Sequence, residues 1–123
     1  MYADIVARAR VLGLKLEGFK AQAAKGPAAT ELTGYGAFKS ELAALGALNM
    51  QGHLDLKARN RDGDLKCILK GISEDLPVRL SDFEAAKTPE QRVEMLKEIG
   101  YLLNDNVEVI TSPPGPKTPT PAA

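Results

Sequence analysis

Cys67 and His53 are the single cysteine and single histidine of this 123-residue chain, and they are its best-suited residues for nucleophilic chemistry. A thiol becomes reactive when a nearby cation lowers its pKa, and Lys70 lies one helical turn beyond Cys67. A nucleophile also needs a base, and His53 is the only imidazole available. The apolar spacing around Cys67 keeps it off the buried face, which makes it more interesting than a core cysteine would be. The residue points about 160–200° away from the face made by Leu65, Ile68, Leu69 and Ile72. Packing of a small side chain, or plain exposure, accounts for it with fewer coincidences.

The other chemical candidates are weaker. Glu94 and Glu98 stand one turn apart, as a general acid and base can. Lys97 lies between them on the face opposite the apolar stripe, which reads as a solvated face. Tyr101 projects from that same side and suits contact with a partner. His53 lacks the three or four converging ligands of a metal site, and no Glu-x-x-His pair supplies them; it reads as a loop or surface residue. Asn60-x-Asp62-x-Asp64 has the opening spacing of a calcium loop. However, Leu65 stands where the loop needs glycine, and Gly71 where it needs glutamate. Gly34 and Gly36 match neither a phosphate loop nor a dinucleotide fingerprint. No enzyme activity, metal or cofactor is therefore expected.

Lys57, Arg59, Arg61, Lys66 and Lys70 make the densest basic segment, 57–70, and could meet phosphates. Asp55, Asp62 and Asp64 dilute it, and no aromatic residues are interleaved for base stacking. A nucleic-acid-associated regulator is the alternative reading for this segment.

The elements that position these residues read as helices. The first spans about Ala3 to Ala24 and is stopped by Gly26-Pro27. Tyr2, Ile5, Ala9, Leu12, Leu16, Phe19 and Ala23 form one apolar stripe. Ala3, Ala7, Val11, Leu14, Gly18 and Ala21 form a second, on the far side. A surface helix needs one apolar face, so a helix with two is expected to be sandwiched, within the fold or by another chain.

Residues 25–36 read as a loop. A second helix starts near Ala37 and turns Phe38, Leu42, Leu45 and Leu48 inward. His53–Ala58 either continues it or forms a short strand, because Leu54, Leu56 and Ala58 alternate with polar residues; the helical context favours helix. Asp62 or Asp64 caps the next helix, whose stripe is Leu65, Ile68, Leu69, Ile72 and Leu76. Pro77 is expected to end it. Ser81 and Glu84 then have capping-box spacing for a short helix over 82–87. Thr88, Pro89 and Gln91 open the last helix, with Val93, Met95, Leu96, Ile99, Leu102 and Leu103 on one side. Asn104-Asp105-Asn106 should end it, leaving Val107–Ile110 extended and able to pair with His53–Ala58 as a ribbon.

The fold class is thus mainly α: a compact bundle of four to five helices over 1–110, with one short two-stranded β ribbon if both segments are strands. Residues 111–123 hold five prolines and read as a disordered or polyproline tail, with PxxP spacing at Pro113 and Pro116.

Composition agrees: 44% hydrophobic, 26% charged, and only three Phe and three Tyr, so the core must be aliphatic. Charge sums to zero but is uneven. Eleven Lys/Arg face seven Asp/Glu over residues 1–71, and four face nine over 72–110. Such a dipolar layout orients partners or copies. A single cysteine excludes a disulfide framework. No apolar run has signal-peptide or membrane-span character, so a cytoplasmic location away from membranes is expected. The Ala-, Gly- and Pro-rich style suggests a bacterial chain.

The expected function is a small non-enzymatic regulatory or adaptor protein working through helix-mediated contacts. Its contact residues would be Val11 and Leu14, the Phe38/Leu42 face and Tyr101, against another protein or a second copy.

Overall fold

The structure, a computed structural model, describes residues 1–61 and 63–112. Among these, four α-helices account for nearly the whole chain: α1 (Tyr2–Ala23), α2 (Tyr35–Ala58), α3 (Gly63–Ala85) and α4 (Pro89–Thr111). A single 3₁₀ turn, Ala29–Glu31, lies in the α1–α2 connection. α2 packs most closely on α3 and α1 on α4, with α3 against α4 next and a thinner seam between α1 and α2. Contacts such as Lys39–Glu84, Arg92–Gly26 and Tyr2–Gly52 run from the start of one helix to the end of its neighbour. The helices therefore alternate in direction around a ring, an up-down-up-down bundle.

The first apolar stripe of α1 does what its spacing predicts. Ile5, Ala9, Leu12, Leu16, Phe19 and Ala23 are buried with Phe38, Leu42, Leu45, Phe83, Leu96 and Ile99 in one core. Leu56, Leu69 and Val109 form a smaller cluster, and Tyr2 and Ile110 pack against both.

The helix ends follow local chemistry. Thr88 Oγ1 accepts from the Gln91 N–H at 3.1 Å, and Pro89 stands at the first helical position, as read from the sequence. The Gln91 side chain reaches back one residue further than expected, accepting from Lys87 N–H at 3.0 Å. α2 ends in a Schellman turn: Arg61 N–H bonds to Leu56 O and Asn60 N–H to Lys57 O, with Asn60 left-handed at φ 53°. Asparagine tolerates that conformation better than other side chains do. Asp64 lies in the first turn of α3, where its charge favours the helix N-terminus. The capping role considered for Asp62, and the Pro-rich tail with Pro113 and Pro116, fall outside the described residues, at 62 and 113–123.

Several expectations are corrected. No strand occurs among the described residues, so there is no β ribbon. His53–Ala58 takes the favoured alternative and is the end of α2, with Asn49, Gly52, His53 and Leu56 buried at helical spacing. Its apparent alternation came from Leu54, which is an exposed leucine. α4 runs through Asn104-Asp105-Asn106 to Thr111, because Asn106 is a core residue rather than a stop. Pro77 lies inside α3 and does not end it; no separate helix begins at Asp82. An interior proline removes one backbone hydrogen bond and costs about 3 kcal/mol. Here the ring is exposed, while Leu69, Ile72, Leu76, Leu80 and Phe83 stay buried along an unbroken stripe, and burying five such side chains outweighs that cost.

Candidate functional site

The second stripe of α1 is open. Ala3, Ala7, Val11, Leu14, Gly18 and Ala21 are all exposed, with Val11 at 49% and Leu14 at 76% of full exposure. From Ala7 onward the steps are four, three, four and three residues, the heptad spacing of a helix-pairing seam. The expected sandwich is therefore not completed among the described residues.

The seam is bordered by charge on both sides. Toward α2 stand Arg8, paired with Asp4 at 3.1 Å, and Lys15, paired with Glu41 of α2 at 2.9 Å. Toward α4 stand Arg10 and Glu17, the latter paired with Lys20 at 3.0 Å. A depression of about 210 Å³ lined by Ala7, Arg8, Val11, Leu12 and Glu41 opens beside the seam, where the α1–α2 contact is thin.

The other proposed contact residues divide. Phe38 and Leu42 are 1% and 2% exposed and belong to the core, so this fold does not offer their face to a partner. Tyr101 is 60% exposed on α4. The basic segment is loosely gathered at the α2–α3 corner. Lys57, Arg61 and Lys70 are exposed and Lys66 is half-buried, while Arg59 binds Asp55 at 2.7 Å.

Cys67 and His53 share no hydrogen bond among the described residues. Cys67 is exposed. His53 is buried, contrary to the expected surface position, and its Nδ1 lies 2.9 Å from the Lys66 carbonyl. A carbonyl oxygen only accepts, so Nδ1–H is the donor in this contact. Among the described residues no group of three or more His, Cys, Asp and Glu side chains is placed to hold a metal.

A cleft of about 430 Å³ runs between α2 and α3 beside Pro77. Its polar end is closed on itself: Glu84 accepts from the Tyr35 hydroxyl at 2.6 Å and from Lys39 Nζ at 2.8 Å. Lys39 foremost, then Tyr35, holds the Glu84 carboxyl below its ordinary value. Burial, then Glu84, pushes the Tyr35 hydroxyl up. A like arrangement ties the start of α1 to the last turn of α2. Tyr2 donates to Asp55 at 2.7 Å, and Asp55 is held low first by that bond and then by Arg59.

Sequence reasoning missed both carboxylate knots and the buried amide pair of Asn49 and Asn106. The signal for the knots was absent, because their partners lie about fifty residues apart.

Both carboxylates have lowered folded-state pKa values, so their contribution is present above the ordinary carboxylate range and lost as pH falls through the lowered values. Stability measured by urea unfolding should be flat from pH 7 to about 5.5 and fall below about pH 4. Glu84→Gln should flatten part of that acid limb. An unchanged acid limb in this variant would show that Glu84 contributes nothing to it.

Among the described residues no helix is long and apolar enough to cross a membrane. The chain matches no protein-family model, no curated protein and no solved structure.

Proposed function

We propose that this protein is a small non-enzymatic helical interaction module, regulatory or adaptor in character, that receives a helix of another polypeptide chain on the outer face of α1. The observation that carries this reading is the exposed heptad seam centred on Val11 and Leu14. An apolar seam with charged borders is the usual form of a helix-recognition surface. Exposed apolar residues scattered singly need no such explanation. Here all six positions of one stripe are open together.

The phosphate-binding alternative at 57–70 gathers less support. One of its five cations is tied to Asp55, and no aromatic residue is interleaved along 57–70.

A photo-reactive benzophenone amino acid in place of Leu14, in cells making the protein, should give cross-linked protein adducts on irradiation. The same group at Glu74, an exposed position on α3, should give few. Val11→Arg added to the Leu14 probe should remove the adducts without loss of helicity, because Val11 is 49% exposed and an arginine there can reach solvent. Equal adducts at both positions, or none at Leu14, would refute the reading.

A further inference from the structure

We infer that the helix received by this face is α1 of a second copy, lying antiparallel. The inference rests on the docking reading above and names its partner. In heptad terms Val11 and Gly18 take the a positions, and Ala7, Leu14 and Ala21 the d positions. Arg8 and Lys15 then fall at e, and Arg10 and Glu17 at g.

Charge selects the arrangement. A parallel pair would set Arg10 of each copy against Lys15 of the other, a like-charge contact repeated twice. An antiparallel pair in the register that faces Leu14 with the second copy's Val11 sets Arg10 against the second copy's Glu17, also twice. The antiparallel register one heptad further on sets Lys15 against Lys15 and Glu17 against Glu17. Only the Leu14–Val11 register gives opposite charges along the α4-facing border.

The α2-facing border of that register sets Arg8 of each copy against Lys15 of the other, a like-charge contact also repeated twice, but between cations that, unlike Arg10, already have a carboxylate partner. Each is already neutralised within its own chain, by Asp4 and by Glu41. Arg10 has no ion pair among the described residues and is free to meet Glu17, whose side chain stays 67% exposed in its contact with Lys20. The large side chains meet in the middle of the seam. Gly18 and Ala7 face each other at its ends, where small residues let the helix axes approach. The twofold relation makes the interface self-complementary, as closed dimers require. One helix pair covers less than the roughly 1,200–2,000 Å² of a standard stable interface. The dimer should therefore exchange with monomer at concentrations on the order of 10–100 µM.

The test uses the full chain with the exposed native thiol removed by Cys67→Ser. Single-cysteine variants Ala7→Cys and Gly18→Cys are treated with a short bis-maleimide, separately and as an equimolar mixture. In the antiparallel dimer equivalent positions lie about 16 Å apart along the axis. Neither variant should then cross-link to itself, whereas the mixture should give a covalent dimer. Arg10→Glu should weaken dimerisation about fivefold or more in light scattering, and Arg10→Glu with Glu17→Arg should restore it. Self-cross-linking of either single variant overturns the antiparallel pairing. A monomer at several hundred micromolar overturns the second copy as partner. In that event, adducts of other masses at Leu14 would leave the docking reading standing, and their absence would remove both.

Discussion

Asn106→Leu is expected to lower the free energy of unfolding by about 3 kcal/mol, or roughly 10–15 °C in melting temperature. Asn49 and Asn106 are both fully buried, and each amide donates to the other's carbonyl oxygen, at 2.9 and 2.8 Å. The Asn49 nitrogen also donates to Leu45 O at 2.9 Å. Replacing Asn106 leaves Asn49 Oδ1 without a donor in an apolar core, and a buried orphan of this kind costs far more than an average hydrogen bond contributes. Asn49→Leu should cost at least as much, because it orphans both polar groups of Asn106. The double variant Asn49→Leu/Asn106→Leu removes the polar groups together and should return to within about 1 kcal/mol of the parent. Urea unfolding of the four proteins decides this. A double variant whose loss equals the two single losses combined would show that the amides are independent. The pair joins α2 to α4 across the diagonal of the bundle, so it also selects one axial register between helices that share little else.

The second large effect concerns glycine. Gly52→Ala should destabilise by about 1–3 kcal/mol, even though alanine is worth about 1 kcal/mol more than glycine in a helix. A methyl at Gly52 would stand 3.0 Å from Leu69 Cδ1, 3.2 Å from Tyr2 Cε1 and 3.6 Å from Ile5 Cδ1. Leu69 and Ile5 are fully buried, and Tyr2 is held by its bond to Asp55, so little can retreat. Gly18→Ala meets nothing within 4 Å and should stabilise by up to about 1 kcal/mol. Thermal unfolding of the two variants should therefore move in opposite directions. Stabilisation by both would mean that the α1–α2–α3 contact at Gly52 yields without cost.

Much of this architecture was legible where chemistry is local. The core stripe of α1, the Gly26 stop and the Thr88-Pro89-Gln91 start each depend on residues within a turn of one another. The failures share one cause: a local signal was overruled by distant packing. Pro77 carries a strong stop signal, but the burial of Leu80 and Phe83 beyond it continues the helix. Asn104-Asp105-Asn106 looks like a terminus because nothing nearby shows that Asn106 has a partner 57 residues away in Asn49. The proposed interaction surface shows the reverse case. The second stripe of α1 was visible as a face that needed a neighbour, and the described residues leave it uncovered. Phe38 and Leu42 could not be told apart from such a face by periodicity, since an inward stripe and a docking stripe have the same spacing.

An even number of alternating helices returns the chain to the pole from which it set out. Tyr2 and Ile110 share one apolar cluster beside Leu56 and Leu69, so the first and last turns of the bundle are neighbours. The α2–α3 corner, with Lys57 and Arg61, caps that same pole. The opposite pole carries only the α1–α2 and α3–α4 connections. A domain or tag joined ahead of Tyr2 would therefore start beside the basic corner, at the pole away from the α1–α2 and α3–α4 connections.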